Sequence, residues 1–87
     1  MEELLANPAT TVVDVRETGE FTGGHFDGAI NIPLGIIPLR LGEFKAMSGP
    51  IVVYCRSGNR SGMAQMLLKQ AGLIEVYNGG GLHDMLM

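Results

Sequence analysis

The chain has 87 residues, of which 46% are hydrophobic and 17% charged, and its net charge is −3. These values fit one globular domain over residues 1–87 and exclude a disordered chain. A single cysteine excludes an internal disulfide, and no apolar run approaches the ~20 residues of a membrane-spanning helix. We expect a monomer that does not contact membranes.

The first half of the chain predicts short elements that prolines and glycines separate. The expected elements are a helix over residues 2–6, a strand over 10–15, a helix over 18–21, a strand over 29–33 and a short or broken helix over 35–44. Pro8 ends the first helix, because a residue before proline is pushed out of the helical region. Pro33 stops the second strand, and Pro38 is tolerated only in a first helical turn.

The second half predicts two more strands, each followed by a helix. The expected elements are a strand over residues 51–55, a helix over 61–71, a strand over 74–77 and a terminal helix over 82–86. The run IVVYC at 51–55 is typical of a central strand covered on both faces. The glycines at 79–81 predict a tight turn that brings the C-terminus toward the cysteine. Alternating strands and helices predict an α/β domain with a small, mostly parallel sheet of four to five strands.

The single cysteine lies where open α/β sheets bind ligands, at the carboxyl end of a predicted central strand. The loop that follows contains Gly58 and Asn59, which accept positive φ, so successive amides can turn inward around an anion. The next helix adds the positive end of its dipole. These features predict an exposed Cys55 with a lowered pKa that reacts as a thiolate.

The residues around the sulfur also predict an anionic substrate. Residues 44–74 contain four basic side chains and no acidic one, and Arg56 and Arg60 flank the cysteine loop. Guanidinium groups suit the oxygens of an oxyanion such as thiosulfate. We predict Cys55 as the catalytic residue and a substrate-binding loop made of Arg56, Ser57, Gly58, Asn59, Arg60 and Ser61.

Three other interpretations of this segment stay open. Cys55 could be an inert core residue, although packing alone does not call for a glycine-bearing loop with two arginines. The loop could serve phosphate or arsenate chemistry, although only four residues separate Cys55 from Arg60, whereas tyrosine-phosphatase loops have five. The domain could also be a non-catalytic interaction module.

Three segments together resemble the rhodanese family. They are VDVRETGEFTGGHFDGAINIP at 13–33, CRSGNRS at 55–61, and GGGL at 79–82 followed by Asp84. The short length and the GGLHD ending look most like the small phage-shock-type rhodaneses of bacteria. Two departures are Met85, where most members have tryptophan, and the apparent absence of a first strand ahead of the 10–15 strand.

The resemblance implies a three-layer α/β/α fold and a thiosulfate sulfurtransferase with ping-pong kinetics. Cys55 would carry sulfur as a persulfide, Arg56 and Arg60 would contact the donor, and the amides of residues 57–61 would hold the anion. The acceptor would be cyanide or a thiol, without a cofactor. As written, the sequence predicts a cytoplasmic protein, which would be periplasmic if an export signal preceded Met1.

The remaining polar residues predict structure rather than chemistry. Asp14, Arg16 and Glu17 at a strand end are expected to organise loops, because buried charges persist when paired. His25 is expected to hold a turn. One cysteine and two scattered histidines make a poor metal site, and the small basic cluster has no interleaved aromatic residues, so we expect neither metal nor nucleic acid to bind.

Overall fold

The computed structural model describes residues 1–86, which are built around a four-stranded sheet. The strands are β1 (Thr11–Asp14), β2 (Ile30–Asn31), β3 (Ile51–Cys55) and β4 (Val76–Gly81). They lie in the order β2-β1-β3-β4, and every pair is parallel. The predicted α/β class with a small parallel sheet is confirmed.

Helices cover both faces of this sheet. They are α1 (Glu2–Ala6), α2 (Thr18–Thr22), a 3-10 helix (Leu34–Leu39), α3 (Leu41–Lys45), α4 (Asn59–Gln70) and α5 (Leu82–Met85). The 3-10 helix followed by α3 is the broken helix that was predicted, with Pro38 inside the 3-10 segment. Among residues 1–86, no helix combines the length and apolar character needed to cross a bilayer.

Strand β3 forms the centre of the domain because all five of its residues are buried. Successive side chains alternate between the two faces, as in any strand. Val53 and Cys55 join the hydrophobic cluster that includes residues of α4, whereas Val52 and Tyr54 pack with Met85 of α5 in a second cluster. This alternation produces the three layers and directs the cysteine toward α4.

Two elements in the second half begin two residues away from the predicted position. Helix α4 begins at Asn59 rather than at residue 61, because Gly58 adopts φ +101° and starts the helix earlier. The last strand covers Val76–Gly81 rather than residues 74–77, and Ile74 is 86% exposed. The predicted tight turn at 79–81 was therefore wrong in conformation, although the segment does lie against the cysteine loop.

The two departures from the rhodanese pattern have structural counterparts. Within residues 1–86 no strand precedes β1, and the first element of the chain is α1. Met85 is only 5% exposed and packs beneath β4. A Cβ atom on Gly79 would lie 2.5 Å from the Met85 sulfur, so a glycine there lets the methionine approach the strand.

Candidate active site

Cys55 ends β3, and its sulfur lies inside the loop that follows. The Gly58 amide donates to Cys55 Sγ at 3.0 Å, and the Ser61 amide donates at 3.4 Å. The Ser61 hydroxyl lies 3.4 Å from the same sulfur. Three polar groups from a single short loop thus converge on one atom, which is the inward-facing arrangement that the glycine-bearing sequence predicted.

These contacts change the acidity of the thiol. Burial raises the pKa of Cys55, but hydrogen bonds from the Ser61 hydroxyl and from the amides of Ser61, Ser57 and Gly58 outweigh burial and lower the pKa to about 7. Helix α4 adds to this effect because it begins at Asn59 and directs its positive end at the loop. A large share of Cys55 is therefore thiolate at neutral pH.

The predicted exposure of Cys55 was wrong, because the residue has no solvent-accessible surface. It lies in the same hydrophobic cluster as Val53 and Ala64, beneath the loop. Burial helps to keep water away from the sulfur. It also means that the loop must shift before a reagent can touch Sγ.

The two arginines of the loop have different surroundings. Arg60 is bound to Glu20 of α2 through two hydrogen bonds of 2.7 and 3.0 Å. Hydrogen bonding to Arg60 lowers the pKa of Glu20 to about 2. Arg56 instead is exposed and lines a cleft between α2 and α5. Arg56 is thus placed to meet a substrate directly, whereas Arg60 ties the loop to α2.

The other side chains of the predicted binding loop also differ in their exposure to solvent. Ser57 and Asn59 are exposed, whereas Ser61 is fully buried beside the sulfur. The loop therefore presents polar side chains outward and amides inward. Its substrate-binding role stays a prediction.

Asn78 on β4 was missed by the sequence analysis, although it supports the loop from the neighbouring strand. Its Nδ2 donates to the Gly58 carbonyl at 3.1 Å, and its Oδ1 lies 2.7 Å from the Ser61 hydroxyl, whose single proton can be donated either to this Oδ1 or to Cys55 Sγ. The Gly80 amide donates to the same Oδ1 at 2.9 Å. Asn78 thus holds Gly58 and Ser61, two of the residues that donate to Cys55 Sγ, and we assign it a positioning role.

The glycines of β4 allow this support because they bring the strand very close to the loop. A Cβ atom on Gly81 would lie 2.1 Å from the Arg56 carbonyl oxygen. Any larger residue there would push the two segments apart. The GGG sequence, together with a polar residue just before it, is the signal from which Asn78 could have been found.

The other polar residues have the structural roles that the sequence predicted. Arg16 binds both carboxylate oxygens of buried Asp14 at 2.7–3.0 Å. The Glu17 amide donates to Glu20 at the start of α2. The His25 ring stacks on the Phe21 ring, and His25 Nδ1 forms a hydrogen bond with the Phe21 carbonyl oxygen at 2.8 Å.

In the described part of the chain, no three His, Cys, Asp or Glu residues are arranged to hold a metal ion.

A sequence model of the rhodanese-like domain matches residues 1–83 of this chain. The chain belongs to the rhodanese-like family. The loop that surrounds the Cys55 sulfur lies within the matched residues.

Individual relatives agree with this family and differ in length. Thiosulfate sulfurtransferase PspE of Escherichia coli K12 is 37% identical over 76 residues, which cover 86% of this chain and 73% of that protein. Uncharacterized protein YqhL of Bacillus subtilis is 43% identical over 67 residues, which cover 77% of this chain. The aligned part spans 52% of that relative, about half of its length.

Solved structures share the fold. A rhodanese from E. coli, solved with anions, superposes with a TM-score of 0.79 at 34% identity and covers 90% of this chain and 93% of its own. The human single-domain sulfurtransferase TSTD1 gives a TM-score of 0.82 at 25% identity, with 98% and 88% covered. The three-layer rhodanese fold predicted from the resemblance is confirmed.

Proposed function

We propose that this rhodanese is a thiosulfate sulfurtransferase that carries sulfur on Cys55 as a persulfide. The observation that carries the proposal is the set of neutral donors on Cys55 Sγ, which lowers its pKa to about 7. The same donors would hold the terminal sulfur anion of a persulfide. The same donors would then stabilise the thiolate of the free enzyme and the persulfide of the loaded enzyme.

In the loading step, the Cys55 thiolate attacks the outer sulfur of thiosulfate. A sulfur–sulfur bond forms to Cys55, the bond within thiosulfate breaks, and sulfite leaves with its electron pair. Arg56, which is exposed beside the loop, would bind the oxygens of thiosulfate and of the departing sulfite.

In the unloading step, cyanide or a thiolate attacks the terminal sulfur of the persulfide. The persulfide bond breaks, and Cys55 leaves as the thiolate. The inward-facing amides favour this step because they stabilise the charge that returns to Sγ. Charge and sulfur balance over the two steps without a cofactor.

Two relatives are named as sulfurtransferases, which supports the proposed sulfur transfer. They are thiosulfate sulfurtransferase PspE of E. coli and a sulfurtransferase of Allochromatium vinosum, which is 37% identical over 67 residues. Other relatives are longer, such as a tRNA uridine(34) hydroxylase of which this chain covers 32%. The donor and acceptor are therefore inferred from the site, and PspE supports thiosulfate as the donor.

Phosphatase or arsenate chemistry fits the site less well. A phosphate-binding loop needs an arginine whose guanidinium is free for the phosphoryl oxygens. Here two of the five N–H donors of Arg60 bind Glu20, and the negative charge of that carboxylate opposes a second anion at the guanidinium. We expect no hydrolysis of p-nitrophenyl phosphate and no reduction of arsenate.

The decisive experiment is intact-protein mass spectrometry after incubation with thiosulfate. The protein should gain the mass of one sulfur atom, and cyanide should remove it. Cys55→Ser should gain nothing, while Ser48→Ala, which changes an exposed serine outside the cysteine loop, should load normally. The proposal would be refuted if the mass stayed unchanged both at pH values where Cys55 is a thiol and at pH values where it is a thiolate. If Cys55→Ala preserved the cellular phenotype, an interaction module would be favoured instead.

A further inference from the structure

The Ser61 hydroxyl lies between two groups that can each accept its proton. Ser61 Oγ is 2.7 Å from Asn78 Oδ1 and 3.4 Å from Cys55 Sγ. A hydroxyl has one proton to donate and two lone pairs with which to accept. Ser61 therefore cannot donate to Asn78 and to Cys55 at the same time, and the two acceptors compete for its proton.

Asn78 is held so that its oxygen, and not its nitrogen, faces Ser61. The Gly80 amide donates to Asn78 Oδ1 at 2.9 Å, and Asn78 Nδ2 donates to the Gly58 carbonyl at 3.1 Å. A flipped side-chain amide would place a donor against the Gly80 amide and an acceptor against the Gly58 carbonyl, so both bonds would be lost. Asn78 Oδ1 is thus a fixed acceptor, and the Ser61 hydroxyl is the group that turns.

The direction of the hydroxyl depends on the charge of Cys55 Sγ. When Cys55 is a thiol, its S–H can donate to Ser61 Oγ while Ser61 donates to Asn78. When Cys55 is a thiolate, Sγ accepts a charge-assisted hydrogen bond, and the Ser61 proton must turn away from Asn78 to supply it. In a persulfide the negative charge lies on the terminal sulfur, so Sγ is neutral again and the proton can return to Asn78.

We propose that Asn78 is a positioning residue that draws the Ser61 proton away from Cys55 Sγ in the thiol and persulfide forms and releases it in the thiolate form. The inference rests on the proposed function. Only the hydroxyl rotates, because the proton that leaves the thiol passes to solvent and the sulfur–sulfur bond forms as in the loading step. Since Asn78 competes with the thiolate for one proton, it keeps Sγ more basic and more nucleophilic than the loop donors alone would.

Charged groups around the loop do not take part in this competition. They are the pair of Arg16 with Asp14, the pair of Arg60 with Glu20, and the side chains of Arg56, His83 and Asp84. Among residues 1–86, none of these side chains forms a hydrogen bond with Ser61 Oγ or Cys55 Sγ. The hydrogen bond to Glu20, and more weakly the charge on Cys55, raises the pKa of Arg60. The variants compared below keep all these charges, so their influence on the thiol is common to every measurement.

The ionisation of the single cysteine tests the proposal. The ultraviolet absorbance of the thiolate is followed against pH in wild type, Asn78→Ala, Ser61→Ala and the double variant, with Cys55→Ser as the blank. We expect Asn78→Ala to lower the pH midpoint by about half a unit, because the Ser61 proton is then free for the thiolate. In a Ser61→Ala background the same substitution should not lower the midpoint. A loop that is merely loosened would instead raise the midpoint equally in both backgrounds.

Gln65→Ala is the matched control for contacts between α4 and β4. Gln65 Nε2 donates to the Val76 carbonyl at 2.9 Å, so this variant removes a side-chain bond between the same two elements without touching Ser61. Its midpoint should equal that of wild type. Equal shifts from Asn78→Ala in the two backgrounds, or a midpoint that Gln65→Ala lowers as much as Asn78→Ala, would overturn the proposal.

The loading equilibrium gives a second readout that does not depend on protonation of the thiol. At a pH where Cys55 is a thiolate in every variant, enzyme is mixed with fixed concentrations of thiosulfate and sulfite, and mass spectrometry gives the loaded fraction. The ratio of persulfide to thiolate should fall about threefold in Asn78→Ala, which is the same free-energy change as half a pH unit, and should stay unchanged in Gln65→Ala. An undiminished ratio in Asn78→Ala would contradict the return of the Ser61 proton to Asn78 in the loaded enzyme.

The two proposals fail in different ways. If thiosulfate did not load Cys55, the proposed function would be refuted, while the ionisation midpoints would still test the competition between Asn78 and Cys55. Normal loading together with equal midpoint shifts in both backgrounds would refute the role of Asn78 alone.

Discussion

Asp14 and Cys55 stand on neighbouring parallel strands, and the fold surrounds these two acidic groups differently. Both residues are fully buried, and Asp14 is aligned with Tyr54, the residue before the cysteine. Asp14 receives four hydrogen bonds from Arg16, three of them from the guanidinium group. Cys55 receives its contacts from amides and a hydroxyl, all of them neutral.

The difference separates a structural anion from a reactive one. A full counter-charge at bonding distance satisfies the carboxylate of Asp14 and leaves it nothing further to bind. Neutral donors stabilise the thiolate of Cys55 without neutralising its charge. A sulfur anion held in this way keeps an electron pair available for a sulfane sulfur.

Removing the charge of Asp14 should have the largest effect on stability. Asp14→Asn leaves the buried guanidinium of Arg16 without a counter-charge, and breaking a buried pair in this way costs about 3–5 kcal/mol. Urea denaturation measures this loss. The control Glu43→Gln breaks the exposed pair with Arg40 and should cost about 0.5 kcal/mol or less. Equal stability of the two variants would contradict a structural role for Asp14.

Cys55 should instead make stability depend on pH. Its folded pKa of about 7 lies below the ordinary thiol value of 9.0, so between these values the unfolded chain binds more protons than the folded one. Stability therefore rises with pH across this window, by roughly 3 kcal/mol, and the gain is lost as pH falls through 7. Urea midpoints at pH 6 to 10 would reveal the rise. In Cys55→Ser this component should vanish, and a rise of the same size in that variant would contradict the assignment.

The strand, the loop and the helix around Cys55 could be predicted because their signals are local. IVVYC has the apolar continuity of a buried strand, and Gly58 and Asn59 follow it directly. The converging amides then follow from a backbone that turns sharply between a strand and a helix. The inward direction of the cradle and the lowered pKa of Cys55 needed no distant residue.

The parts that could not be predicted depend on residues far apart in the chain. Arg60 meets Glu20 across 40 positions, and nothing near Arg60 indicates that its guanidinium is occupied. Ser61 meets Asn78 across 17 positions. The burial of Cys55 has the same origin, because β4 and the loop cover the sulfur only once the sheet has formed.

Replacing the Ser61 hydroxyl tests whether the neutral donors around Cys55 Sγ set the pKa of the thiol. Ser61→Ala removes one donor to the thiolate, and a hydrogen bond to a charged group contributes about 1.5–3 kcal/mol. The pH midpoint of alkylation by iodoacetamide should therefore move upward by roughly one unit. Ser57→Ala is the matched control, because it keeps the amide and loses only an exposed hydroxyl. An unchanged midpoint in Ser61→Ala would show that the amides alone set the acidity.

Asn78→Ala tests support from the neighbouring strand. Loss of the amide side chain frees the Gly58 carbonyl and the Ser61 hydroxyl, so we expect sulfur uptake from thiosulfate to slow about fivefold to tenfold. The slowing should be smaller in a Ser61→Ala background, because part of the effect acts through that hydroxyl. Asn78→Gln, which retains both hydrogen-bonding groups on a longer side chain, should restore part of the rate. Full additivity of the two alanine variants would contradict a shared mechanism.

The smallest effect is expected at the pair that ties the loop to α2. Glu20 and Arg60 have side chains 32% and 34% exposed, so solvent weakens their interaction. Glu20→Gln should slow sulfur uptake only about twofold to threefold. The low pKa of Glu20, about 2, means that the pair persists until the pH falls toward that value. Loss of sulfur uptake between pH 8 and 5 should therefore follow protonation of Cys55 in both wild type and Glu20→Gln. A midpoint that shifts in Glu20→Gln would instead assign Arg60 a direct influence on the sulfur.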